Sequence, residues 1–362
     1  MTVQSKRTLK VEKLARIYDD EIAPVWGARF GKMLLRNLAV PERGQVLDIS
    51  CGTGSPTVEI LRRMSEGSRL IAIDASSAML DVARRKVAPL GRKNVYFRTE
   101  SAVPKLSFAD DVYDLVVCNL GLSEMPSLEV ALRDFARVAK RGGEVRCTLP
   151  LTGTFQEFMD LYREVLIKHD KHEALERLER HVSRYPTIDH VERCMKSAQL
   201  SGDVVVEEFS LLFKSSREFF FAPVIEYGPL AEWKEIAGGG QEMQDVFWYI
   251  KEAIDAYFDG RPFQVTVKAG CIIGTKHEPR APLELEEQDV DFDEIDTGMP
   301  MPPHDIAVGS VQVSDADTEG VEFDDGADFE LDVRQVAESQ PGLDAFTEGK
   351  KRPSYLDLDD GD

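Results

Sequence analysis

Between residues 46 and 149, short apolar runs alternate with segments whose apolar residues recur every three to four positions. Val46-Leu47, Leu70–Ile73, Val95–Arg98, Tyr113–Asn119 and Glu144–Leu149 have the length and composition of strands. Val58 to Met64 and Ala131 to Val138 have helical spacing, with Leu128, Leu132, Phe135 and Val138 on one face. Strands alternating with amphipathic helices predict an α/β fold built on a parallel sheet. Gly142-Gly143 is expected to end the helix that precedes the fifth strand.

The connection after the first strand carries the chemistry. An acid, Asp48, leads into the small residues Ser50-Cys51-Gly52-Thr53-Gly54, followed by Ser55-Pro56-Thr57. Ser55 is expected to cap the next helix and Pro56 to be its first residue. Glycines let a backbone approach a ligand closely, and a helix N-terminus offers free N–H groups. A dinucleotide fingerprint needs a third glycine where Thr57 stands, and a phosphate loop needs a Gly-Lys-Ser/Thr that is absent. The second strand ends in Asp74, 20 residues after Gly54, the spacing at which such folds place a ribose-binding acid. A helix-capping role for the same carboxylate is compatible with ribose binding.

The acid-x-small-x-Gly-x-Gly pattern of Asp48 to Gly54 resembles motif I of the class I S-adenosylmethionine-dependent methyltransferases, of the small-molecule, ubiquinone/menaquinone type. Ser50 stands where the family usually has its first glycine. Asp74-Ala75-Ser76-Ser77-Ala78-Met79-Leu80 looks like the family's D-x-S-x-x-M-L segment, and Tyr113 to Asn119 like its fourth strand. The resemblance implies a Rossmann-like, mostly parallel sheet with an antiparallel last strand. Val204–Phe209 and Phe263–Val267, continuing to Ile273, would supply the final strand pair. It also implies S-adenosyl-L-methionine as cofactor. The residues implied to contact it are Asp48, Ser50, Cys51, Gly52, Thr53, Gly54, Asp74, Ala75, Met79, Glu100, Ser101, Ala102 and Asn119. Asp48 serves equally well as an organiser of the turn, and Glu100 as a solvated loop acid. Ser76 or Ser77 is expected to cap the helix that carries Met79.

Charge divides the chain. Of 44 basic and 65 acidic residues, 5 and 26 fall in residues 278–362, so the first 277 residues are balanced and the tail carries the whole net charge of -21. A segment this acidic and this poor in apolar periodicity is expected to be disordered. Its aromatic-acidic clusters, among them Val290 to Glu294 and Tyr355 to Asp359, suit either a protein partner or a solubilising tail. The balanced body has no basic stripe for nucleic acid, and no run approaches the length of a membrane span. The N-terminus lacks the apolar core of a signal peptide. Five scattered cysteines without a C-x-x-C pair are expected to be small buried residues in a reducing compartment, the cytoplasm, with no metal site. His169 and His172 read as part of a solvated helix face.

The expected organisation is therefore one domain over residues 1–277, with a helical cap from 1–40, 151–200 and 214–262, and the tail over 278–362. The cap is rich in aromatics, and Tyr18, also a candidate cofactor contact, and Trp26 are its lid candidates. The function expected is methyl transfer to a small, apolar or aromatic acceptor. Glu124, after the fourth strand, is the candidate general base, or else a simple loop acid. The alternatives are a non-catalytic scaffold acting through the tail and an NAD(P)-dependent oxidoreductase.

Overall fold

In the computed structural model, residues 3–277 are described, with side chains from residue 10 onward. The acidic tail lies outside the described residues. The chain opens with α1 (Val3–Ile17), a π-helical stretch (Tyr18–Gly27) and α2 (Ala28–Leu35). There follow β1 (Gln45–Ile49), α3 (Ser55–Arg63), β2 (Arg69–Asp74), α4 (Ser77–Val87), β3 (Val95–Thr99), β4 (Tyr113–Asn119), α5 (Leu128–Val138) and β5 (Ala139–Pro150). Three helices, α6 (Gln156–Lys168), α7 (His172–Val182) and α8 (Ile188–Ser197), lead to β6 (Leu200–Phe213). Then α9 (Ser216–Phe221), α10 (Pro223–Glu226), α11 (Leu230–Ala237) and α12 (Gly240–Phe258) precede β7 (Phe263–Lys276).

The seven strands form one sheet in the order β3-β2-β1-β4-β5-β7-β6. The first five are mutually parallel, and β7 inserts antiparallel to both β5 and β6. This is the mostly parallel sheet with an antiparallel last strand that the sequence implies. Strand order reverses between β1 and β4, the switch point outside whose carboxyl ends ligands bind in such sheets.

The period-2 alternation of side chains sorts the strands' residues to two faces. Leu47, Ile49, Val116, Cys118, Val145 and Cys147 pack with α5 and α8. Val46, Leu70, Ala72, Leu115 and Val117 pack with α2, α3 and α4. A third core joins β7 to α6, α7 and α9–α12, and Phe30 of α2 reaches into it. Helix α8, inside the segment expected to belong to the cap, thus lies against the sheet beside α5.

Two local expectations are corrected. Gly54, in the left-handed conformation at φ 79°, caps α3, so Ser55 and Pro56 each sit one place further into the helix than expected. Pro56 still displaces an N–H that has no partner in the first turn. Gly142-Gly143 does not end α5. The helix stops at Val138, Ala139 is already extended, and the glycines lie within β5, where its register with β4 shifts. A Cβ at Gly143 would lie 2.8 Å from the Lys140 carbonyl and 3.0 Å from that of Tyr113. The pair therefore makes a β-bulge, a place where backbones crowd and glycine is favoured. The last strands are also longer than their apolar runs, because β6 and β7 pair along their whole length from Leu200–Lys276 to Phe213–Phe263.

Candidate active site at the sheet's carboxyl edge

The turn after β1 is held by its own backbone. The Cys51 N–H donates to the Ile73 carbonyl at 3.0 Å and the Gly54 N–H to the Cys51 carbonyl at 2.9 Å. Ser50, Gly52 and Gly54 all have positive φ, at 52°, 55° and 79°. The two glycines are needed for different reasons. A Cβ on Gly54 would come within 2.8 Å of the Ala83 Cβ, so its bare backbone lets α4 close on the turn. A Cβ on Gly52 would meet only the Tyr18 ring, at 3.7 Å, so its bare backbone faces the site.

Asp74 joins this turn to the next one. Its Oδ2 accepts from the Gly52 N–H at 2.9 Å and its Oδ1 from the Ser76 N–H at 2.8 Å. Each oxygen keeps lone-pair capacity for a further donor. Burial raises the Asp74 pKa, opposed by those two N–H bonds. Ser76 caps α4 by accepting from the Met79 N–H at 3.4 Å. Ala75 is exposed beside it, and Met79 packs half-buried against the Ala15, Ala78 and Val82 cluster.

Asp48 is buried beneath the turn. One oxygen accepts from the Thr57 hydroxyl at 2.5 Å, and Oδ1 has no hydrogen-bond partner among the described residues. Burial, opposed by the Thr57 bond and reinforced by the Asp74 charge, lifts its pKa to about 7. Thr53 and Cys51 are also buried, and the thiol's pKa is raised by burial and by the Asp48 and Asp74 charges. Of the turn-side geometry, Asp48 supplies internal support while Gly52 and Asp74 present polar groups.

The remaining sequence-predicted residues divide. Tyr18 stands over Gly52 at the cavity's edge. Burial and the Glu124, Asp74 and Asp19 charges push its phenol to about 12. Glu124 lies in the 3-10 turn Gly121–Glu124 at the cavity mouth, and partial desolvation followed by the Asp74 charge raises its pKa. Tyr18, Asp74 and Glu124 therefore converge on one region.

Glu100 is committed to its own loop. It accepts from the Ser107 N–H at 2.9 Å and pairs with Arg98. Ser101 accepts from the Val103 N–H at 3.1 Å, and Ala102 packs towards the α5 core. Asn119 ties elements together, donating to the Gly27 carbonyl at 3.2 Å and accepting from the Thr148 hydroxyl at 2.8 Å. His169 stacks on Tyr249 with ring centroids 3.6 Å apart. Among the described residues no group of three or more His, Cys, Asp or Glu is placed to hold a metal ion, and no helix is long and apolar enough to cross a membrane.

Beyond the turn lies a cavity of about 850 Å³, bounded by Leu120 and Leu149 at the strand ends and roofed by the π-helical stretch, α7, α10 and α11. Tyr18, Ile22, Trp26 and Phe155 make an apolar, aromatic wall, with Trp26 stacked on Phe155 at 5.8 Å and 5°. The lining also includes the polar residues His181, Arg184, Tyr185 and Glu232. Sequence reasoning passed over these four. His181 shares the buried stripe of α7 with Ala174 and Leu178, so a histidine on an apolar stripe was the available signal.

Comparison with known proteins fits this geometry. Residues 46–143 match the family model of the methyltransferase domain. Over 131 residues the chain is 30% identical to a demethylmenaquinone methyltransferase of Halalkalibacterium halodurans, covering 36% of this chain and 53% of that protein. Over 153 residues it is 31% identical to a demethylmenaquinone methyltransferase of Staphylococcus aureus, covering 42% of this chain and 61% of that one. The chain thus spans little more than half the length of these relatives. The crystal structure of the YcgJ protein from Bacillus subtilis aligns at 19% identity with a TM-score of 0.46, covering 70% of this chain and 100% of the other. The segment that matches the methyltransferase domain, residues 46–143, holds the strands β1 to β4, the Asp48–Gly54 turn and Asp74.

Proposed function

We propose that the protein transfers a methyl group from S-adenosylmethionine to a small, apolar or aromatic acceptor held in the cavity. The observation that carries the reading is the Asp74 carboxylate, fixed by the Gly52 and Ser76 N–H groups beside a glycine turn whose bare backbone lies under Tyr18, a residue of the cavity wall. A cradle that a Cβ at Gly52 would narrow towards Tyr18, with a carboxylate that retains acceptor capacity, fits a ribose-bearing cofactor. Gly52, Thr53, Gly54, Asp74, Ala75, Met79 and Tyr18 are the residues proposed to hold it. Asp48, Ser50, Cys51 and Asn119 support them from beneath, and Glu100, Ser101 and Ala102 shape the loop beside them.

The cofactor supplies an activated methyl group on a sulfonium. The chain's task is to align an acceptor with it and exclude water, and alignment alone supports a large part of such an acceleration. Trp26, Phe155, Ile22 and Leu120 offer the surface for an apolar or aromatic body. Relatives named for demethylmenaquinone favour an acceptor of that aromatic kind. Glu124 is the proposed base where the acceptor must lose a proton. The oxidoreductase and scaffold readings gain no support from the site or from the relatives.

Titration calorimetry of the full chain with S-adenosylmethionine and S-adenosylhomocysteine tests the donor half, and an extract screen with labelled methyl donor tests the acceptor half. Binding of neither sulfur ligand, with binding of a nicotinamide dinucleotide instead, overturns the reading.

A further inference from the structure

One edge of the sheet is long and open. β6 runs for 14 residues and pairs with β7 at an unbroken register from Leu200–Lys276 to Phe213–Phe263. Among the described residues no strand lies on its other side. A free edge presents a row of backbone N–H and C=O groups, and native proteins blunt it with proline, bulges, short strands or unpaired charge. From Val204 to Phe213, β6 has none of these. It contains no proline and no break in register. Its two acids are matched within the chain, Glu207 pairing with Arg36 and Glu208 lying 3.2 Å from Lys268. Val205, Val206 and Leu212 are 37%, 38% and 48% exposed along it. The opposite edge strand, β3, has only 5 residues.

This edge is complementary to itself. In a two-fold antiparallel pair centred on Phe209, each residue faces the one equally far on the other side of Phe209 in the second copy. Val206 then faces Leu212, Leu212 faces Val206, and Val205 faces Phe213. Glu208 faces Ser210 and Glu207 faces Leu211, so no acid faces an acid, and Asp203 falls beyond the paired stretch. Moving the axis to Val206 would instead set Val204 against Glu208 and Val205 against Glu207.

We propose that β6 is a dimerisation edge, pairing antiparallel with β6 of a second copy of this chain about a two-fold axis at Phe209. Two seven-stranded sheets then become one continuous sheet. The centre of the interface adjoins the cavity wall, because the Phe209 ring meets Trp26 edge-on at 6.2 Å and Phe30 at 5.8 Å. Dimerisation through this edge is independent of the chemistry proposed above.

Sedimentation equilibrium on the full chain tests the pairing. The wild type should be a dimer. Val206→Lys with Leu212→Lys sets like charges against each other at both symmetric positions and should weaken the dimer at least about tenfold. Val206→Lys with Leu212→Glu sets opposite charges there and should return association to within about threefold of the wild type. Within one chain the two positions are about 20 Å apart along the strand, too far to pair with each other. Circular dichroism checks that each variant folds. Should the double variants unfold, Leu212→Lys decides alone, and association unchanged by it counts against the proposal. A monomeric wild type, an assembly larger than a dimer, a dimer indifferent to the paired lysines, or a charge-matched variant as weak as the like-charged one overturns it.

Discussion

The Cβ of Ser50 occupies the space that a side chain at Gly121 would need: a Cβ built on Gly121 falls 2.5 Å from it and 2.7 Å from its hydroxyl. Ser50 stands where the family usually has glycine, and it does so at φ 52°, a conformation that costs an L-residue about 1–2 kcal/mol. The bulk added after β1 is accommodated by its absence after β4. Gly121→Ala is therefore expected to destabilise the fold by about 1–3 kcal/mol through overpacking. Adding Ser50→Gly should restore part of the loss, the remainder reflecting the Cys118 sulfur, 2.8 Å from the same Cβ. Urea denaturation of the wild type, both single variants and the double variant measures this coupling.

The two glycines of the turn should separate stability from binding. Gly54→Ala adds a clash with Ala83 to the cost of positive φ, so it should lose more stability than Gly52→Ala. Gly52→Ala pays mainly the conformational cost, about 1–2 kcal/mol, and puts a methyl group in van der Waals contact with Tyr18 over the turn, where it takes up space in the cradle. It should keep most of the fold while weakening S-adenosylmethionine. Melting temperatures and calorimetry on the two variants check the contrast, and equal effects on both readouts would count against it.

Asp74→Asn removes one acceptor from a carboxylate that receives two backbone N–H groups. The amide nitrogen would face an N–H donor, leaving one of these groups unsatisfied at a cost of about 1–3 kcal/mol. Affinity for S-adenosylmethionine is expected to fall by at least about tenfold, since one hydrogen bond to a charged group is worth that much. Calorimetry reads the loss, and undiminished affinity would remove Asp74 from the site.

Asp48 links folding to pH. Its pKa in the folded protein, about 7, lies above that of an unfolded aspartate, so the folded state holds the extra proton between the two values. Stability from this group is full at low pH, declines as pH rises towards 7 and levels off above it. Asp48→Asn keeps an acceptor for Thr57 and abolishes the titration. The difference in urea midpoint between wild type and variant should therefore grow, in the variant's favour, from pH 5 to pH 7.5. A difference that does not change with pH refutes the assignment.

Much of this was legible in the chain because it is local. The sheet's parallel core follows from apolar runs separated by amphipathic helices, and the turn from a spacing of small residues around Asp48 and Asp74. What was not legible depends on which groups the folded backbone brings together. Glu100 matches the family by type, yet Arg98 and the Ser107 N–H take up its carboxylate. Gly142-Gly143 reads as a helix stop, but its bulge is dictated by the crowding carbonyls of Lys140 and Tyr113. The polar cavity wall joins His181 to Glu232 across 51 positions, and no pattern within either helix announces that pairing.

Glu124 offers the sharpest test of the chemistry. It sits at the cavity mouth in the turn after β4, with its pKa raised by partial desolvation and then by the Asp74 charge. A raised carboxyl pKa makes a stronger base once ionised, and general-base catalysis contributes about 10²–10⁴-fold. If Glu124 takes the acceptor's proton, Glu124→Gln should lower kcat within that range, while S-adenosylmethionine affinity, proposed to rest on Gly52 and Asp74, stays within about threefold, a change worth under 1 kcal/mol. The low-pH limb of the wild-type kcat profile should vanish in the variant, because the group whose ionisation it reports is gone. A variant that keeps both kcat and the limb leaves alignment against Trp26 and Phe155, and not proton removal, as the chain's contribution to the reaction.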